Sequence, residues 1–190
     1  MCRSIEKRPL VIEKRRDYGH WEGDTVKGPI GSKASLITLT ERKSREEIIL
    51  KVDHASQEEI KAALDGLERK YGFGFRSKFK SITFDNGVEF LDWRSLEISV
   101  FGKGRRTTIY FAHSFSSWER GTNENHNRMI RRFIPKGTNI STVTEEKIKD
   151  IEGWMNAYPR KILAYRTPNQ VTDECLQSSN FDRELKFCRN

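Results

Sequence analysis

Cysteine is scarce in this chain. Its 190 residues include three, Cys2, Cys175 and Cys188, and no two of them form a Cys-x-x-Cys pair. The usual spacing of a structural zinc site is therefore missing, and so is a disulfide framework, which leaves free thiols of a reducing compartment. Long apolar runs are missing too. No stretch approaches the roughly 20 residues that cross a bilayer, and no apolar segment of signal-peptide type follows Met1. A soluble cytoplasmic protein without a membrane partner is expected. Internal repeats and low-complexity tracts are also absent, so a repeat architecture is not expected.

What is present is charge and aromatic bulk. Charged residues make up 33% of the chain and hydrophobic ones 35%, with eleven Phe and four Trp, so the surface is heavily charged and the core well supplied. This is the composition of a folded chain of one domain, or one domain with an appendage. A formal charge of +8 favours an anionic partner, nucleic acid first. A basic protein with no such partner fits the charge equally well.

Residues 1–18 are basic, lack clear periodicity and read as an arm or linker; no helix-turn-helix pattern occurs. His20 to Lys27 reads as a strand carrying Asp24, where acids are disfavoured. Residues 34–41 form an apolar β-branched run and 47–52 a third strand. Short turns between the three predict an antiparallel meander. Residues 56–70 predict an amphipathic helix capped by Ser56 and Glu59, with Ile60, Ala63, Leu64 and Leu67 buried. Residues 79–84 predict a strand ending in Asp85-Asn86-Gly87, with Glu89 opening a short helix. The carboxyl end of such a strand is where open α/β sheets place ligands, although Asn-Gly is also a common turn. Residues 92–106 read as a loop with a helical turn whose Lys103, Arg105 and Arg106 are candidates for DNA contact or for solvated charge. Residues 107–112 are a fifth strand, and 143–157 a last long helix capped by Thr144, with Ile148, Ile151 and Trp154 buried. The tail beyond about Gln177 reads as weakly ordered, and 173–190 is set apart from a core of 19–172.

The stretch from Tyr110 to Phe133 runs from strand through a Ser/Gly-rich turn into a helix that begins acidic and ends basic. Glu124, Asn127, Arg128 and Arg131 fall at i, i+3, i+4 and i+7, one helical face. Met129, Ile130 and Phe133 are free to be buried. Such a face suits a metal-dependent enzyme acting on a phosphate backbone, and equally a solvated helix over a core. The upstream aspartates favour the enzyme. Asp24, Asp85 and a helix carboxylate can meet at one edge of a mixed sheet, as hard ligands for Mg²⁺ or Mn²⁺. Two ions about 4 Å apart can serve the attacking and leaving oxygens of a phosphate, with Asp24 or Asp85 bridging them.

The segments WEGDTV, TFDNGVEF, YFAHSFSSWERGTNEN, RRFIPKGTN and PRKILAYRTP, in this order, resemble the DDE transposases of bacterial insertion sequences, the IS-thirty family. The resemblance covers roughly residues 4–172. It implies an α/β, RNase H-like fold like that of retroviral integrases, with a mixed five-stranded sheet flanked by helices. It also implies metal-dependent cleavage at transposon ends and strand transfer into target DNA. Glu119 and Glu124 compete as third acid. Glu119 gives the shorter gap to Asp85, but it sits in a turn. Glu124 stands at the helix start with Asn127 and Arg131 stacked on its face, which resembles the integrase arrangement, so Glu124 is chosen.

The expected catalytic and metal-binding set is thus Asp24, Asp85 and Glu124, with two Mg²⁺ or Mn²⁺ ions. Asn127, Arg128, Arg131, Arg132 and Lys136 are expected to hold DNA. Asn86 is a further candidate to position phosphate or water; His113 and His126 either contact DNA or fill polar gaps. Trp21 and Trp118 are expected to pack, and Glu22 and Glu89 to be peripheral. Arg128 stands where the family often has Gly, and the N-terminal DNA-binding helices of a full transposase are not in this chain. Expected partners are double-stranded DNA, both transposon ends and target, and further copies of the chain on it, at a bacterial nucleoid. The alternatives are an RNase H-like nuclease without strand transfer and a silent DNA-binding regulatory fragment.

Overall fold

The computed structural model describes residues 4–102, 104–113 and 121–187. Strand β1 (His20–Lys27) pairs antiparallel with β2 (Ser35–Glu41), and β2 with β3 (Glu47–Val52), the expected meander. Helices α2 (Gln57–Tyr71) and α3 (Phe75–Lys78) then carry the chain back across one face of the sheet; a short helix α1 (Leu10–Glu13) precedes β1. This crossover lets β4 (Ser81–Phe84) lie parallel to β1 on its free side. Helix α4 (Trp93–Glu97) leads to β5 (Thr108–Phe111), parallel to β4. The sheet order is β3-β2-β1-β4-β5. Helices α5 (Gly121–Phe133), α6 (Glu145–Ala157) and α7 (Pro168–Phe187) complete the chain.

Alternation along the strands divides the core in two. Trp21, Ile37, Leu39, Ile82 and Phe84 point to the side covered by Ile60, Leu64 and Leu67 of α2 and by Phe75 and Phe79. Val26, Leu36 and Ile49 point to the other side, under Ile130 and Ile134 of α5 and Ile148, Ile151 and Met155 of α6. Because β2 is covered on both faces, all of it is buried, and its sequence is apolar on one face and mixed on the other. At the start of α2 the Ser56 hydroxyl accepts the Glu59 N–H as expected, while the Glu59 carboxylate turns to His54 instead of closing a capping box. Thr144 likewise caps α6. Trp154 is only half-buried, and Met155 takes the buried position beside Ile151.

Three stretches differ from expectation. Residues 4–18 are pinned at single points while most of the stretch stays exposed: Arg8, Ile12 and Tyr18 are buried, Ser4 bridges to Phe111, and Arg8 donates to the Thr83 hydroxyl. Their anchors are isolated side chains, which leave no periodic pattern in the sequence. Arg106 is buried within hydrogen-bonding reach of Asp65, Glu68 and the Leu96 carbonyl, and Arg105 pairs with Glu97. That ion-pair cluster holds α2 to α4, so Arg106 has no surface for DNA; Lys103 lies outside the described residues. The C-terminal stretch beyond Gln177 continues as helix to Phe187. Among the described residues no helix is long and apolar enough to cross a membrane.

Gly23 shows how tightly β1 is held. A Cβ there would stand 2.2 Å from Cε1 of Phe84, a ring that is fully buried. Gly23→Ala should therefore lower stability by about 2 kcal/mol through overpacking. Equilibrium urea unfolding will read this, and Phe84→Leu in the same chain should recover part of the loss. An alanine variant as stable as the parent would show that the ring can move aside.

Candidate active site

The side of β1 that faces α5 reads Glu22, Asp24, Val26, so two acids precede the apolar core on one face. Glu22 is fully buried. It accepts from Arg42 Nη1 at 2.6 Å, and from the backbone N–H of Asn123 at 3.3 Å and the Thr122 hydroxyl at 3.4 Å, both in the first turn of α5. A carboxylate there satisfies an unpaired helix N–H and the positive end of the helix dipole. One turn on, Asn127 Nδ2 donates to Asp24 Oδ2 at 2.8 Å, while the Thr25 N–H donates to Asp24 Oδ1 at 2.9 Å. Helix α5 is thus fastened to β1 at two points a turn apart. That fixes its height and its rotation, and with them the side chain of Glu124 between the two points.

The register places the second aspartate. Parallel pairing matches Glu22 with Thr83, so continuing it brings Asp24 level with Asp85, just past the end of β4. Asp85 is half-buried and accepts the Gly87 N–H at 3.0 Å, a local turn that fixes the carboxylate at the strand end. Nearby, Glu89 is buried and pairs with Lys27 at 3.1 Å.

Asp24, Glu124, Asn127, Arg128, Arg131 and Lys136 line one cleft of about 560 Å³. Of the expected contact residues, Arg132 is exposed but does not line it, and Asp85 is next to it by register only. Arg131 donates to the Lys27 carbonyl at 2.8 Å, and partial burial pulls its guanidinium down from its usual range. Glu124, Arg128 and Lys136 are exposed. Glu119 and Trp118 lie outside the described residues.

Other candidate residues have partners within the protein. Asn86 donates to the Ala112 carbonyl at 2.7 Å and ties the end of β4 to the end of β5. His126 is buried against Glu47 at 2.7 Å, and His113 lies 3.3 Å from Glu6, so each fills a polar contact. Trp21 packs, as expected, stacked on Phe79. Glu22 and Glu89 are not peripheral: both are buried and salt-bridged. Sequence reasoning missed Glu22 as the anchor of α5: its place two residues before Asp24 puts both acids on one strand face but points to no partner.

Among the described residues, no group of three or more His, Cys, Asp or Glu is placed to hold a metal ion. A closed protein cage is thus not built here. Mg²⁺, however, usually takes one or two carboxylates and fills its shell with water and phosphate oxygens. One carboxylate from the strand and one from the helix, in one cleft with a basic rim, fit an ion shared with a phosphate backbone.

The sheet order, with acids where β1 and β4 run side by side, defines the class as an RNase H-like fold of the integrase catalytic-core type. The catalytic core domain of BIV integrase superposes with a TM-score of 0.61 at 14% identity, over 87% of this chain and 98% of that one. A chain of a simian T-cell lymphotropic virus intasome gives a TM-score of 0.62 at 12% identity, over 81% of this chain and 54% of that one. No protein-family model matches. In sequence, the chain is 36% identical over 171 residues to a probable transposase of insertion-like element IS1161 from Streptococcus salivarius. It is 36% identical over 169 residues to the InsI transposase of IS30C from Escherichia coli. These matches take in 89% of the chain and identify it as a region of an IS30-type transposase. The chain spans less than half of each relative, 46% and 42%.

Glu22→Gln should lower stability by about 3 kcal/mol, because the buried Arg42 then loses its 2.6 Å ion pair and keeps only the longer contact to the half-exposed Glu13. Hydrogen exchange at the Asn123 amide should speed up by more than exchange at Ile130. Equal acceleration at both positions would mean that the carboxylate does not hold the first turn in particular.

Proposed function

We propose that this region performs metal-dependent strand cleavage and strand transfer on DNA at insertion-sequence ends, through Asp24, Asp85 and Glu124. The observation that carries the reading is one cleft lined by Asp24 and Glu124 with a cationic rim, and Asp85 level with Asp24 in the β1/β4 register. Divalent ions, when bound, neutralise the phosphate and lower the pKa of a water or a 3′-hydroxyl. Asp24 and Glu124 in the cleft, and Asp85 beside it, would supply hard oxygen ligands, one or two to an ion. Asn127 holds the Asp24 carboxylate in one orientation by its 2.8 Å hydrogen bond. Arg128, Arg131 and Lys136 hold the DNA backbone across the cleft, and Arg132 extends that grip along α5. Contacts of this kind position DNA without reading its sequence. Strand transfer at two ends calls for two such sites, so the active form is an oligomer on double-stranded DNA.

A pre-branched oligonucleotide mimicking a joined product tests this with Mn²⁺ present, because it needs no recognition of an end sequence. The parent should resolve the branch, and Glu124→Gln should reduce the rate by about a hundredfold or more while Glu119→Gln stays close to parent. Loss only in Glu119→Gln would move the third acid to the shorter spacing. Hydrolysis without joining to a 3′-hydroxyl would replace strand transfer by nuclease action, and binding without chemistry would favour a regulatory role.

A further inference from the structure

Two cavities share the first turns of α5. One is the acidic cleft. The other, about 880 Å³, lies between those turns and the segment that follows α6. Its cations are Arg15, Arg45, Arg160 and Lys161, and among the described residues no Asp or Glu lines it. Its aromatic groups are Tyr158 and Tyr165, which are 46% and 71% exposed.

The segment that presents Tyr165 is held in an unusual shape. Ala164 and Tyr165 have φ of 54° and 64°, consecutive non-glycine residues in the left-handed region. That conformation is costly and persists only where surrounding contacts impose it. Here the Tyr165 N–H donates to the Arg160 carbonyl at 2.9 Å and the Arg160 N–H to the Arg166 carbonyl at 3.0 Å. The result is a stapled loop with an exposed ring at its tip.

The arginines are partly committed: Arg160 gives one N–H to the Met155 carbonyl at 3.0 Å and another to the Met129 sulfur. Arg45 is buried and gives one N–H to the Thr122 hydroxyl at 2.7 Å. Among the described residues, Nε of Arg45 and Nε of Arg160 have no hydrogen-bond partner. Burial, and then the neighbouring charge of Arg15, pull the Arg45 guanidinium down to about 10, so it stays protonated at neutral pH. The acids beside these cations, Glu22 at 3.9 Å from Arg15 and Glu47 at 2.7 Å from His126, are buried behind the lining, so among the described residues the cavity wall itself offers cations and no carboxylate, which suits an anion.

The rings narrow the choice of anion. A phosphate alone does not call for exposed phenol faces, and a paired duplex keeps its base faces covered. Cations along a backbone track with rings for base stacking are the common equipment of single-strand sites. We propose that this cavity seats an unpaired nucleotide of single-stranded DNA, its base on Tyr165 or Tyr158 and its phosphates on Arg45, Arg160 and Lys161. Glu124 lines the cleft and Asn125 the cavity, so a strand leaving the duplex at the cleft enters the cavity by the next residue of the helix. The inference rests on the proposed action of the cleft on DNA, and it adds where a displaced strand goes.

Fluorescence anisotropy of the full chain with a labelled oligothymidine and with a blunt duplex of equal length tests it. Tyr165→Ala should weaken single-strand binding about tenfold and leave duplex binding within about twofold, while Tyr165→Phe keeps both. Photocrosslinking with 5-iododeoxyuridine in the oligothymidine should map to Tyr165 or Tyr158. The inference is overturned if Tyr165→Ala changes both affinities equally or neither, or if crosslinks map elsewhere. It is also overturned if the variant instead lowers the sedimenting mass without DNA, which would put a second copy of the chain in the cavity. A parent that binds neither DNA form would remove the proposed function as well, whereas duplex binding with an indifferent Tyr165 would remove this inference alone.

Discussion

A buried carboxylate at the start of a helix sets the position of everything chemical in this molecule. Glu22 has no exposed surface and meets both Arg42 and the first turn of α5. Removing one member of such a buried pair costs about 3–5 kcal/mol, so the contact is hard to give up once made. Its consequence is geometric. Asp24 is two residues further along the same strand face, and Asn127 is one turn further along the same helix face. The second hydrogen bond therefore follows from the first, and Glu124 is left on the open side of the helix, above the strand ends.

The rest of the sheet isolates that site. Edge strand β3 is covered by α6, whose Asn156 exchanges two hydrogen bonds with the Glu47 backbone and whose Glu152 accepts the Ile49 N–H. Burial raises the Glu152 carboxyl above its usual range. At the other edge, Ser4 bridges to Phe111 and Glu97 accepts the Ile109 N–H. With both edges occupied, strand addition to a partner is blocked. The polar surface left open at the strand ends is the cleft, with the basic cavity beside it.

Much of this was legible in the sequence where the physics is local. The meander followed from short turns between apolar runs, the α2 and α6 caps from Ser56 and Thr144, and the amphipathic face of α5 from helical spacing. Glu124, Arg128 and Arg131 do line one cleft with Asp24. What escaped were pairings between residues far apart in the chain. Glu22 looked peripheral because neither Arg42 nor Asn123 is visible as its partner in a linear reading. Arg106 looked like a DNA contact or a solvated loop charge because its partners Asp65 and Glu68 sit on a helix it meets only in the fold. Residues 1–18 looked like an arm or linker because single anchors such as Arg8 and Ile12 carry no period. In each case a buried charge or anchor was taken for a solvated one.

The most direct measurement is anomalous diffraction from crystals of the protein soaked in Mn²⁺. The expected result is an anomalous peak within coordination distance of Asp24 that also touches Asp85 or Glu124. A peak held only by other residues, or none at concentrations that support branch resolution, would contradict a site assembled by clasping α5 to β1.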